Sequence, residues 1–166
     1  QNGAVAWVLD NVKGQPGETV KVRAIVDDPN DAKLPVAGAQ FNINADTVKY
    51  SGFTDGKAYS ADMSANEDKN KFMFRTASGK SVAAADGSTI LTISYDIPAN
   101  CPAGVYPVTW ADQFVSDTDG YDLTKNVLFK DGSITVGDVD PTNGSVSWVI
   151  PVVEGKKGES VTLNVK

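Results

Sequence analysis

The sequence has 166 residues, which is enough for one domain with a substantial core, and a net charge of −6. It has no dense cluster of Lys or Arg, and binding to phosphates requires concentrated positive charge. These features argue against a nucleic acid or an anionic membrane as the partner. No apolar run approaches the length of a membrane span.

The residue types needed for common catalytic mechanisms are scarce. The sequence contains no histidine and a single cysteine, Cys101, so histidine-activated nucleophiles and disulfide frameworks are excluded. We interpret Cys101 as a small apolar residue that packs partly buried. A pair of carboxylates remains formally possible, but none has an evidently apolar surround that would hold a proton near neutral pH. We therefore expect no enzymatic activity.

The predicted elements are strands throughout. Apolar and polar residues alternate, separated by Gly, Pro, Asn and Asp turns, which is typical of antiparallel strands. Further strands are expected at residues 105–114 and 132–136, and no window has a convincing helical stripe. About nine short strands in this length predict an all-β, two-sheet sandwich. The residues expected to face inward are, in chain order, Val20, Val22, Ala24, Val26, Ala39, Phe41, Ile43, Phe72, Phe74, Thr89, Leu91, Ile93 and Tyr95.

Two of these strands carry an unusual outward face. Alternation places Gly38, Gln40, Asn42 and Asn44 outward on one strand, and Lys71, Met73 and Arg75 outward on another. Short uncharged polar groups beside Met and Arg are typical of protein interfaces, whereas a solvated face usually carries Lys, Glu and Thr. From these residues alone an ordinary solvated surface remains the competing interpretation.

The remaining candidate sites are interpreted as structural. The run "DTDGYD" (117–122) lacks a complete set of calcium ligands, so we expect a turn there and no metal site. The run "DDPND" (27–31) is likewise expected to be a solvated turn. Tyr106 and Trp110 have the parity of Val108, which favours a buried face over an exposed carbohydrate platform.

The end of the chain repeats its beginning. Residues 144–166 align with residues 3–25 without a gap and with nine identities, including Trp148 with Trp7. The preceding segment "GDVDPTN" has the composition of a linker. We therefore expect a module at residues 1–137, a linker at 138–143, and the start of a second homologous module at 144–166.

Several segments together resemble the cohesin module of cellulosomal scaffoldins. They are "GQPGETVKVRAIV", "VAGAQFNINAD", "KFMFRTASGK", "ADGSTILTISYDIPANCPAGVYPVTW" and "KDGSITVGD", which occur in the expected order. The resemblance implies a nine-stranded jelly-roll β-sandwich that is secreted, has no catalytic activity and holds no cofactor. It also implies a partner, the dockerin, which is a small helical module that carries calcium and is attached to enzymes or to other scaffoldins of the polysaccharide-degrading cellulosome.

The resemblance also implies the binding residues. The dockerin is expected on one outer sheet built from "GAQFNIN", "KAYSAD", "KFMFRT" and the strand around "YPVTWAD". Relatives often carry Asn and Asp at the positions of Gly38 and Gln40. This difference is expected to affect the type of cohesin and therefore which dockerin it binds. The expected contact residues are Gly38, Gln40, Asn42, Met73, Arg75, Thr76 and Gly79.

Other functions remain open at this point. A carbohydrate-binding β-sandwich is the alternative, and it requires Trp7, Trp110, Tyr59 and Tyr121 to lie exposed in a row. A glycoside hydrolase is a third possibility and requires two carboxylates facing each other across a groove. For residues 144–166 we expect strand addition to, or strand exchange with, a neighbouring copy of the module, against the alternative of packing on their own domain.

Overall fold

The computed structural model of the chain describes residues 5–66, 70–76 and 79–137. The linker and the second module predicted at 138–166 lie outside these residues. Within them, a single 3-10 turn at Thr124–Asn126 accompanies eleven strand segments. The segments are β1 Val5–Leu9, β2 Asn11–Gly14, β3 Thr19–Asp27, β4 Gly38–Ala45, β5 Lys49–Asp55, β6 Ala61–Ala65, β7 Lys71–Thr76, β8 Thr89–Asp96, β9 Gly104–Ser116, β10 Val127–Lys130 and β11 Gly132–Val136.

The segments form two sheets that pack face to face. One sheet has the order β10-β1-β3-β8-β5, and the other has the order β2-β11-β9-β4-β7-β6. Most neighbours are antiparallel, as alternation predicts, but β1 pairs with β10 and β2 with β11 in parallel. The first and last strands therefore run side by side in the same direction. The predicted all-β jelly-roll sandwich is confirmed.

Eleven segments correspond to nine strands because two strands pass from one sheet to the other. Only Asp10 separates β1 from β2, and only Asp131 separates β10 from β11. The two crossing points touch each other. A Cβ added to Gly132 would lie 2.3 Å from the carbonyl oxygen of Asp10, so this position has room only for glycine.

The core between the sheets follows the predicted alternation. Every apolar residue expected to face inward in β3, β4, β7 and β8 is buried, whereas Thr89, at the start of β8, is only half-buried. Trp7, with none of its surface exposed, lies at the centre and contacts aromatic rings from both sheets. Cys101 is also buried, as expected.

Two local expectations are wrong. The strand expected in "KAYSAD" begins only at Ala61, because Lys57 and Ser60 have φ of 61° and 51°, which interrupt extended structure. Asp28 is buried and not solvated. Its carboxylate accepts hydrogen bonds from the backbone N–H groups of Ala32 and Lys33, at 2.7 and 2.9 Å, and so organises the loop that follows β3.

Candidate functional site

The predicted outward residues line a groove on the six-stranded sheet. The groove has a volume of about 360 Å³ and runs over β4 between β7 and β9. Two cross-strand rows build it. Met73, Gln40 and Phe114 lie opposite one another in the first row. Arg75, Gly38 and Ser116 form the second, and Gly79 closes the groove after β7.

Gly38 forms the floor of the groove. A Cβ at this position would lie 3.2 Å from the carbonyl oxygen of Phe74 and 3.8 Å from Oγ of Ser116. The floor is therefore backbone, and the long side chains of Met73 and Arg75 rise beside it. This arrangement allows another molecule to approach the sheet closely.

The first row has an exposed apolar side chain at each end. Met73 is 48 % exposed and Phe114 is 41 % exposed. Large apolar side chains on an outer sheet face lose contact with water when a partner covers them, which is favourable. They are the natural anchors of an interface on this face.

Phe114 is the site residue that the sequence analysis missed. Strict alternation from Trp110, which is buried, would turn Phe114 inward. Instead the β4–β9 register shifts between Gln40 and Asn42, so that β9 contains a bulge at Asp112. The bulge turns Phe114 outward and Val115 inward. The spacing of five residues between buried Trp110 and buried Val115 is the signal that could have revealed it.

Asp112 maintains this bulge through an uncommon backbone conformation. Its φ is 49°, in the left-handed region that Asp tolerates better than most residues. Asn42 donates a hydrogen bond from Nδ2 to Oδ2 of Asp112, at 3.0 Å. The amide oxygen of Asn42 is buried and accepts no hydrogen bond from any described residue. Asn42 thus lies beside the groove and supports the bulge instead of lining the groove.

Thr76 does not reach the outer face. It is only 3 % exposed, because it ends β7 with the inward parity of Phe72 and Phe74. Its Oγ1 donates to the carbonyl oxygen of Lys80, at 2.7 Å, and its N–H donates to that of Ala37. The side chain of Thr76 is therefore placed to hold the turn that carries Gly79, and the protein itself covers it.

Among the described residues, Arg75 makes no ion pair. Asp62 lies directly opposite Arg75 on β6, but its carboxylate bonds to the ammonium of Lys57. That hydrogen bond holds the pKa of Asp62 below its ordinary value. Within the described part of the chain, the guanidinium of Arg75 is thus exposed at the edge of the groove without a partner of opposite charge.

The aromatic residues do not form a carbohydrate platform. Trp7, Tyr59 and Trp110 are buried, and of the four aromatic residues in question only Tyr121 is exposed. The indole N–H of Trp110 donates to the carbonyl oxygen of Lys130, at 3.0 Å, which ties this ring into the core. The row of exposed aromatic rings that the carbohydrate alternative requires is absent from these positions.

The acidic run at 117–122 forms a turn. Oδ1 of Asp117 accepts hydrogen bonds from the N–H groups of Asp119 and Tyr121, each at 2.9 Å. The hydrogen bonds from Thr124 lower the pKa of Asp122. In the described part of the chain no three residues of the types His, Cys, Asp or Glu are grouped so that they could hold a metal ion.

The fold and this surface place the chain among jelly-roll β-sandwich modules, with an exposed groove on the outer face of one sheet. The family model for the cohesin domain matches residues 5–136, and the chain therefore belongs to the cohesin family. A search of curated protein sequences gave no significant match. No helix within the described ranges is long and apolar enough to cross a membrane.

Several solved structures share this fold. The third ScaB cohesin of R. flavefaciens, in complex with a group 1 dockerin, has a TM-score of 0.71 at 20% identity, covering 82% of this chain and 97% of that chain. The seventh ScaB type I cohesin of Pseudobacteroides cellulosolvens has a TM-score of 0.67 at 19% identity, covering 82% and 94%. A non-cellulosomal cohesin of Archaeoglobus fulgidus has a TM-score of 0.64 at 10% identity, covering 86% and 97%.

Proposed function

We propose that this chain is a non-catalytic receptor module that binds a dockerin in the groove. In this role it anchors a dockerin-bearing enzyme or scaffoldin in an extracellular cellulosome. Membership of the cohesin family supports the proposal. So do the relatives solved as complexes, among them the R. flavefaciens cohesin and the OlpA cohesin of Clostridium thermocellum with Doc918.

The observation that carries the proposal is the row of Met73, Gln40 and Phe114. Two large apolar side chains stand exposed on either side of a hydrogen-bonding amide, above a sheet whose other face is the core. Interfaces have this composition, with apolar anchors at the centre and polar groups between and around them. Of the seven contact residues expected from the sequence, five line the groove, namely Gly38, Gln40, Met73, Arg75 and Gly79.

Substitutions in the groove test the proposal directly. Met73→Asp and Arg75→Glu should each weaken dockerin binding by about 2 kcal/mol or more, because anchor residues dominate interface energies. Phe114→Asp should have an effect of the same size, since Phe114 forms the opposite wall. Calorimetry against a panel of calcium-loaded dockerins, with the best binder taken forward, provides the measurement.

Leu128→Asp is the matched control. Leu128 is 51 % exposed, close to the exposure of Met73, but it lies on β10 at the edge of the other sheet. The substitution Leu128→Asp should leave the affinity for the dockerin unchanged. If the three groove variants bind as tightly as the wild type, the groove is not the dockerin site.

We further propose that residues 144–166 encode the start of a second module of the same kind. Several of the identical residues have a structural role in the first module. Trp148 matches Trp7, which is fully buried, and Gly155 matches Gly14, where a Cβ would lie 2.5 Å from Cγ1 of Val20. Gly158 matches Gly17, whose φ of 89° favours glycine. These matches support a parent protein with tandem modules.

A further inference from the structure

The two strands that flank β4 are spaced to support a helix. Met73 and Phe114 stand on β7 and β9, which flank β4 on either side. Neighbouring strands are about 4.8 Å apart, so the two side chains rise from backbones roughly 10 Å apart. An α-helix with its side chains has a diameter of about 10–12 Å. A helix that runs along β4 therefore rests on Met73 and Phe114, with the side chains of one face directed towards Gly38 and Gln40.

The charge of the groove is uneven. Lys71 and Arg75 stand on either side of Met73 on β7, and neither makes an ion pair among the described residues. Opposite them β4 offers only the uncharged Gly38, Gln40 and Asn42. The β7 side of the groove is thus positive, although the whole chain has a net charge of −6.

Three carboxylates near the groove already accept hydrogen bonds. Asp62 bonds to Lys57, Asp112 accepts from Asn42, and Asp117 accepts from two backbone N–H groups of its own loop. The charge of Asp62 is thus already paired with a cation, whereas Asp112 and Asp117 lie on the β9 side of the groove, across β4 from Arg75. An acidic group can pair with Arg75 directly, because Arg75 is exposed, makes no ion pair among the described residues, and can bind a carboxylate with two parallel hydrogen bonds.

The spacing of the two rows specifies where that acidic group lies. The row of Met73 and the row of Arg75 are two residues apart along β7, which corresponds to about 6.7 Å. Positions i and i+4 of a helix are about 6.0 Å apart along the axis. One turn of helix therefore places an apolar side chain between Met73 and Phe114 and a second side chain beside Arg75.

From these dimensions we infer the recognition pattern of the partner, an inference that rests on the proposed function. The dockerin helix presents an apolar residue and, one turn away, an Asp or Glu. The apolar residue fills the row of Met73, Gln40 and Phe114, and the carboxylate pairs with Arg75. Specificity in this module thus depends on an apolar anchor and one carboxylate, with Arg75 as the residue that selects the charge.

A display library tests this pattern. It is built on a group 1 dockerin, the kind of partner bound by the R. flavefaciens relative, with the exposed positions of its helices randomised. Selection in calcium against the wild-type chain should enrich an apolar residue paired with Asp or Glu three or four positions away. Selection against Arg75→Glu should enrich Lys or Arg in place of the acid. The control Lys21→Glu, a charge reversal on β3 of the other sheet, should enrich the same clones as the wild type.

Individual clones make the test quantitative. A clone selected on the wild type should lose about tenfold or more in affinity for Arg75→Glu, and reversal of its acid to Lys should restore binding to that variant. The inference is overturned if calcium-dependent binders show no enriched acid, or if the clones bind the wild type and Arg75→Glu equally well. Either result leaves the proposed function standing. If no calcium-dependent binder is recovered, the proposed function fails and the inference fails with it.

Discussion

At the scale of single residues, Trp7 connects the two sheets. It belongs to β1 of the five-stranded sheet, and its ring packs edge-on against Phe41 of the other sheet, with ring centroids 5.9 Å apart. Its indole N–H donates to the hydroxyl of Tyr59, at 2.9 Å. Both polar groups are buried, so each satisfies the other where water is absent. This hydrogen bond and the ring contacts link β1 to β4 and to the segment before β6, behind the groove.

Two buried tyrosines predict a loss of stability at high pH. Burial raises the pKa of both Tyr59 and Tyr95 above the ordinary value of 10.0. Above about pH 10 the unfolded chain releases these protons while the folded chain keeps them. The contribution of these two tyrosines to the free energy of unfolding is therefore fully present below pH 10. It falls as pH rises towards the raised pKa values, by up to about 1.4 kcal/mol per pH unit for each tyrosine.

Urea unfolding at pH 8, 10 and 11 measures this effect. Tyr59→Phe should lower stability at pH 8 by about 1–3 kcal/mol, because the indole N–H of Trp7 loses its acceptor. It should also reduce the decline in stability between pH 10 and 11, since one of the two buried tyrosines is gone. An unchanged decline in this variant would show that Tyr59 does not carry the alkaline effect.

At the scale of elements, the bulge in β9 determines which side chains the groove presents. Val108 and Trp110 are buried before the bulge and Val115 is buried after it. Without the extra residue at Asp112, continued alternation would place Phe114 in the core and Val115 outside. The bulge therefore converts an ordinary strand into one that supplies both a core residue and an exposed anchor.

Substitutions at Asp112 test the role of its backbone conformation. Asp112→Val should lower the free energy of unfolding by about 1–2 kcal/mol, because a β-branched side chain is strained at a φ of 49°. Asp112→Asn is the matched control. It tolerates the same conformation and retains an oxygen that accepts from Asn42, so its stability should be close to that of the wild type.

Affinity for the dockerin should follow the same order. The Val variant should bind more weakly as Phe114 leaves its outward position, and the Asn variant should bind normally. If Asp112→Val is as stable as Asp112→Asn and binds as tightly, the left-handed conformation is not what holds Phe114 outward.

At the scale of the whole molecule, we predict that calcium acts only through the partner. The buried Asp28 and the groove residue Asp117 already accept hydrogen bonds from backbone N–H groups. A chelator should therefore abolish dockerin binding and leave the melting temperature of the isolated chain almost unchanged, because dockerin loops fold around the ion. A large drop in that temperature would instead reveal a structural ion in this chain.

The repeat at 144–166 leads to a prediction about assembly. In the sequence alignment Val146, Trp148 and Ile150 match Val5, Trp7 and Leu9, which are buried in β1 between β10 and β3. We propose that this segment adds to, or exchanges with, the first strand of a neighbouring copy. Light scattering should give a larger mass for the 166-residue chain than for a variant ending at Gly137. If both the 166-residue chain and the shorter variant are monomers at high concentration, the exchange is ruled out.

The site could be predicted only in part. Alternation placed Gln40, Met73 and Arg75 on the outer face correctly, because side-chain direction in a regular strand depends only on parity. Thr76 was assigned to the binding surface by its position in the family pattern, yet its parity is inward and the structure buries it. Phe114 was missed because parity fails wherever a strand carries an extra residue.

The sequence by itself determined the sandwich and its core residues, because alternation and turn residues are local properties of the chain, and the resemblance of its segments to cohesins indicated the family. Only the tertiary structure decided how the β9 bulge turns Phe114 towards β4, how the first and last strands cross between sheets at Asp10 and Asp131, and that Arg75 faces an acid already bonded to Lys57. These features depend on pairing between residues far apart in the chain. The groove and its charge therefore arise only when the strands have assembled.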